Sequence, residues 1–153
     1  MLTVKDMMTK EVVCVSPDTM LADAARLIME KNFDGVPVVD QDKKVVGILT
    51  QYDLISKGSA LHLPTMQYIL EHMAVFKKDK KQFQENIQEI TSLRVSDVMN
   101  PEPLTFQAQD TYRDAVHMFR DHHRVNPIPV VDAQKHILGV VSRYDILKSF
   151  QEL

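Results

Sequence analysis

"GILTQYD" runs from Gly47 to Asp53, and "GVVSRYD" runs from Gly139 to Asp145, 92 positions further on. Each reads glycine, two aliphatic residues, a hydroxyl residue, any residue, tyrosine, aspartate. Upstream, "VPVVD" (Val36 to Asp40) meets "IPVVD" (Ile128 to Asp132) at the same offset. Earlier still the offset is 91, pairing Val4 with Val95, Asp6 with Asp97, Met8 with Met99, Glu11 with Glu102 and Asp23-Ala24 with Asp114-Ala115. One residue is inserted in the second copy near "HHRVN". A unit of about 50 residues in two copies is too long for a coiled-coil heptad and too few for a solenoid.

Each copy spells the same order of elements. "EVVCV" (Glu11 to Val15) and "EPLTF" (Glu102 to Phe106) are β-prone runs. A helix follows, its start marked by "SPDT" in the first copy and by "QD" before Thr111 in the second. Leu21, Ala24, Ala25 and Ile28 make one apolar stripe at helical spacing, and Tyr112, Ala115, Val116 and Phe119 repeat it. Two aliphatic runs joined by "QDKK", or by "AQK", then read as a β-hairpin. A short helix begins at Thr50 or Ser142. The expected fold class is α+β (mixed α/β), each unit running strand-helix-strand-strand-helix. The expected organisation is a first unit over 1–58, a helical insert over 59–93 and a second unit over 94–153.

Composition narrows the function. With 153 residues, 44% hydrophobic and 25% charged, the chain can bury a core as an ordinary globular protein does. A net charge of −3 argues against a surface built for nucleic-acid phosphates. The start, "MLTVKDMMTK", lacks the pattern of a signal peptide, and no run reaches the roughly 18 apolar residues of a membrane span. Cys14 has no second cysteine to pair with and reads as a small buried hydrophobe, so a reducing, cytoplasmic setting is expected.

A leading "DhM" (h hydrophobic), a helix with alanine at its centre, "hPVVD" and "Ghh[ST]xxD", in that order in both copies, resemble the tandem CBS domain (named for cystathionine β-synthase), here as a stand-alone Bateman module. The resemblance implies two units related by a pseudo-twofold and packed through their sheets, with two clefts. It also implies modules that pair as homodimers. Such clefts often hold AMP, ADP, ATP or S-adenosylmethionine, with NADH a further candidate, and binding regulates an attached or partner protein. No cofactor is required.

In that light Asp53 and Asp145 fall where the family grips a ribose, whose cis hydroxyls a carboxylate can accept. Thr50 and Ser142, at helix starts, could face a phosphate. Val36 and Ile48, with Ile128 and Val140, could flank an adenine. A hydroxyl followed three residues later by aspartate is also an ordinary helix cap, and that alternative stays open. Some nucleotide-binding members carry a basic residue just before "hP", where this chain has Asp34-Gly35 and Asn126-Pro127. Arg124, His123 and Arg143 are the nearest substitutes, so the second cleft is expected to be the better anion site.

Other features read blandly. His122 and His123 are adjacent and lack a spaced third ligand, so no metal is expected. "KKDKK" (Lys77 to Lys81) reads as a solvated approach to a helix. Within the insert, Met66, Ile69, Leu70 and Met73 share a face, as do Phe83, Ile87 and Ile90. They suit either a cover for the module's own edge or a partner contact. Leu27 and Met118, outside the main stripes, suggest a second apolar surface for a homodimer. No nucleophile, base and orienting group recur at catalytic spacing, so no enzyme is expected. The leading reading is a regulatory module for adenosine ligands acting on a separate protein. The alternative is a structural dimerisation module with vestigial clefts.

Overall fold

The computed structural model describes residues 1–56 and 92–151. Its elements are α1 (Val4–Met7), α2 (Leu21–Lys31), β1 (Gly35–Val39), β2 (Val45–Thr50) and α3 (Gln51–Ser56), then α4 (Val95–Val98), β3 (Phe106–Gln107), α5 (Tyr112–Asp121), β4 (Ile128–Val131), β5 (Ile137–Val141) and α6 (Arg143–Phe150). The expected features of the insert between Met66 and Ile90 lie outside the described residues.

Both hairpins form where expected, and the aspartate ending "PVVD" explains their turns. Asp40 Oδ1 accepts the N–H groups of Asp42 and Lys44 at 2.9 and 3.0 Å. Asp132 Oδ1 accepts those of Gln134 and His136 at 2.9 and 2.8 Å. The side chain thus satisfies two turn amides. Each turn places a lysine in the left-handed region, Lys43 at φ 63° and Lys135 at φ 70°. The antiparallel ladders shift register at matching places, between Val38 and Val39 and between Val130 and Val131.

The run expected as a first strand is shorter than its sequence suggested. From "EVVCV" only Val15 pairs, as a parallel bridge to Val38. In the second copy pairing begins at Phe106, the last residue of "EPLTF". Few cross-strand partners exist there, so β propensity has little ladder to act on. "SPDT" is not the cap of α2 either. Ser16 and Thr19 bond each other, with the Ser16 N–H on Thr19 Oγ1 at 3.0 Å, and the helix starts two residues beyond Thr19. The Leu21 N–H is taken instead by the carbonyl of Leu93, immediately ahead of the second unit, at 2.9 Å.

That bond belongs to an exchange between the repeats. The Val4 and Lys5 N–H groups bond the carbonyls of Asp110 and Ala108, while those of Val95 and Ser96 bond Thr19 and Pro17. Thr9 bridges Val140, and Asn100 bridges Ile48. Each leading segment therefore docks on the other unit. Val95 and Val98 complete the first core with Leu21, Ala24, Ala25, Ile28, Val36, Val38 and Leu49. Val4 and Met7 complete the second with Phe106, Ala115, Phe119, Ile128, Val130 and Val141. Leu27 and Met118, expected to form a second surface, pack against these same cores and keep part of their surface exposed.

The units meet through equivalent residues. Val39, Val45 and Val131 form a small shared cluster with Cys14 and Ile137 against it. Lys44 bridges His136, its own counterpart. The chain is thus a pair of units about a pseudo-twofold, in contact through their sheets.

Candidate functional site

Each repeat closes on a capping box at the start of its last helix. Ser142 donates its N–H and its hydroxyl to Asp145 Oδ2, both at 2.7 Å, and Ser142 Oγ accepts the Asp145 N–H at 3.3 Å. Thr50 and Asp53 make the same set at 3.0, 2.9 and 3.1 Å. Thr3 with Asp6 and Thr111 with Asp114 repeat it at other helix starts. The helix-cap role of both closing aspartates is therefore realised.

It uses one oxygen of each. Among the described residues no donor reaches Asp145 Oδ1, which leaves acceptor capacity on a half-buried carboxylate. The first copy differs. Thr50 and Asp53 are only 6% and 8% exposed, and Asp53 has a further interaction besides those with Thr50. The accessible closing turn is the second.

The wall beside that turn comes from the first unit. Thr9 exchanges N–H···O bonds with Val140 at 2.9 and 3.0 Å, two residues before Ser142. Met8 lies over Gly139, where an added Cβ would sit 2.7 Å from the Met8 sulfur. The glycine and the methionine of the two repeated motifs thus belong to one contact. The duplicated "DhM" was the signal for Met8 and Thr9, but spacing alone does not reveal which unit receives them.

The basic residues are partly occupied. Arg143 lies over the Phe119 ring at 5.7 Å and donates to the His123 carbonyl. Arg124 does not stay with the second unit. Its guanidinium donates to the Tyr52 hydroxyl at 2.8 Å and covers that ring at 5.3 Å, beside the closing turn of the first unit. His123 is exposed at the surface. Between the two closing turns Asn126 donates to Asp34 Oδ2 at 2.7 Å, and the Arg143 N–H donates to Asn126 Oδ1 at 3.0 Å.

The apolar residues expected to flank an adenine differ in their exposure. Val36, Ile48 and Ile128 are buried, Val36 and Ile128 inside the two cores. Val140 alone of the four keeps exposed surface. Separately, a cavity of about 450 Å³ is lined by Cys14 to Asp18 and by Val39, Asp40, Gln41 and Lys43, and none of the candidate ligand-binding residues lines it. Burial pushes the Cys14 thiol up, against the opposing pull of Lys43, so the thiol there is protonated at neutral pH.

The CBS domain family matches residues 4–59 and 95–152, and the chain belongs to that family. Among its relatives is the Methanocaldococcus jannaschii protein MJ1426, 27% identical over 152 residues, covering 95% of this chain and 89% of the relative. The solved structure of CBSX2 in complex with AMP is 26% identical with a TM-score of 0.75, covering 99% of this chain and 98% of that one. This chain spans 63% of the full CBSX2 sequence of Arabidopsis thaliana. A third similar structure is MJ1225 of M. jannaschii, described as a putative archaeal homolog of g-AMPK, 25% identical with a TM-score of 0.75, covering 97% of this chain and 48% of that one.

Proposed function

We propose that the chain is a non-catalytic regulatory module that binds an adenosine-containing ligand of the AMP, ADP or ATP class and thereby controls a partner protein. Binding is assigned to the cleft of Ser142 and Asp145. The observation that carries this reading is Asp145 Oδ1, which no donor reaches among the described residues, on a carboxylate whose other oxygen is already fixed by the helix cap. One oxygen holds the side chain still while the other accepts a ribose hydroxyl. The AMP held in the CBSX2 structure, whose solved chain is alike over 98% of its length, supports the ligand class. We further propose that the molecule works as a homodimer.

The test exploits the division between the two oxygens. AMP should raise the melting temperature, because a ligand that binds only the folded state stabilises it. Loss of a hydrogen bond to a charged acceptor costs about 1.5–3 kcal/mol, so 2′-deoxy-AMP should bind at least about tenfold more weakly. Asp145→Asn can keep an oxygen towards Ser142 but then places an NH2 donor where Oδ1 stood. It should melt within a few degrees of the parent and lose most AMP affinity. If AMP, ADP, ATP, NADH and S-adenosylmethionine all leave the melting temperature unchanged, the clefts are vestigial and the module serves dimerisation alone.

A further inference from the structure

Asp34 and Asn126 occupy equivalent positions in the two repeats, 92 residues apart, and their side chains meet. Where a pseudo-twofold brings a residue against its own counterpart, two carboxylates would repel. Here one copy carries the amide. The orientation of that amide follows from its partners, since the Arg143 N–H needs an oxygen and the Asp34 carboxylate needs a donor. Every bond in the line has a direction. The first turn of α6 donates through Arg143 to Asn126, and Asn126 donates to Asp34. The Asp34 carbonyl in turn accepts the N–H of Gln51, the first residue of α3, at 2.9 Å. A continuous hydrogen-bonded path thus joins the Ser142–Asp145 turn to the Thr50–Asp53 turn.

We infer that Asn126 is a positioning residue, which holds the ligand turn of the second unit in place and couples it to the closing turn of the first. The inference rests on the assignment of ligand binding to Ser142 and Asp145. It does not require Asn126 to touch the ligand. A like charge at position 126 would push on Asp34, move the first turn of α6 and shift Asp145 away from the ribose.

A charge exchange tests it. Asn126→Asp keeps an acceptor for the Arg143 N–H but sets a carboxylate oxygen against Asp34. AMP binding, followed by calorimetry well below the melting temperature, should weaken roughly tenfold, as expected when a charge-assisted hydrogen bond becomes a like-charge contact. Adding Asp34→Asn to that variant restores a donor–acceptor pair with the roles reversed, and AMP binding should return to the parent's level. Parent-like AMP binding by Asn126→Asp, or a double variant no better than the single one, overturns the inference.

Amide hydrogen exchange without ligand reads the path directly. In Asn126→Ala both the Arg143 amide and the distant Gln51 amide should exchange faster than in the parent. An unchanged Gln51 amide refutes the coupling. If the parent itself fails to bind AMP, the functional assignment fails, while exchange still decides whether the path exists.

Discussion

Thr111 and Asp114 show in its simplest form the bond that recurs at the closing turns. The Thr111 hydroxyl donates to Asp114 Oδ2 at 2.6 Å, and the Thr111 N–H adds a second bond at 2.9 Å. These bonds, the hydroxyl first, hold the Asp114 carboxyl below the usual carboxylate range, and Thr3 does the same for Asp6. A carboxyl depressed in the folded state stabilises the fold above its unfolded pKa of about 3.9. That contribution is lost as pH falls through the lower folded value. Thr111→Val should therefore melt below the parent at pH 7, with the gap narrowing as pH falls below about 4. A gap constant down to strong acid, in a thermal unfolding series, would show that the hydroxyl acts without the charge. Sequence could read the hydroxyl and aspartate as a cap or as a ribose site. The structure makes both pairs a cap and, among the described residues, leaves Asp145 Oδ1 without a donor. Which oxygen is free depends on side-chain rotation, and no spacing encodes that.

Gly47 and Gly139 show what was legible among the elements and what was not. Each was visible as the first letter of a repeated motif, and the hairpins and last helices followed correctly from the pattern. The role of the glycine was hidden, because its partner lies in the other repeat. A Cβ at Gly139 would stand 2.7 Å from the Met8 sulfur and 2.8 Å from the Thr9 carbonyl oxygen. At Gly47 the same atom would meet the Met99 sulfur at 2.6 Å and the Asn100 carbonyl oxygen at 2.9 Å. Methionine can swing aside, but a bridging backbone cannot without breaking its hydrogen bonds. Gly139→Ala should thus destabilise by about 1–3 kcal/mol, the usual cost of overpacking. Because Val4 and Met7 help fill the second core, and Val95 and Val98 the first, loosening one docked segment affects both units. Calorimetry should show one transition at a lower temperature. Two separated transitions would mean that the units are stable apart. Adding Met8→Ala should recover part of the loss and no more, since the clash with the Thr9 carbonyl remains.

At the scale of the whole molecule, the pseudo-twofold accounts for what pairs inside the chain and points to what is left outside. Equivalent residues meet at Lys44 with His136 and at Asp34 with Asn126, so those surfaces are already used. The last helices of the two units are not used in this way. On α3, Tyr52 and Ile55 are exposed, and on α6, Tyr144, Leu147 and Phe150 are exposed to 73%, 68% and 69%. Tyr52 and Ile55 are the counterparts of Tyr144 and Leu147, so one apolar face has been kept in both copies. Scattered exposed hydrophobics need no explanation, whereas several on one face of a helix favour covering. Sequence pointed to a homodimer through Leu27 and Met118, but these pack against the cores; the face on α6 is the better support for the proposed pairing. A second copy whose α6 packs on the first would cover Tyr144 and Leu147 of both chains, as a twofold contact requires. Light scattering at micromolar concentration should give twice the 17.6 kDa chain mass. Leu147→Glu places a charge at the middle of the face, while the side chain it replaces contributes little to the fold because it is exposed. That variant should keep the parent's far-ultraviolet circular dichroism, still bind AMP, and scatter as a monomer. A parent that is monomeric, or a Leu147→Glu variant that stays dimeric, would rule this face out as the contact.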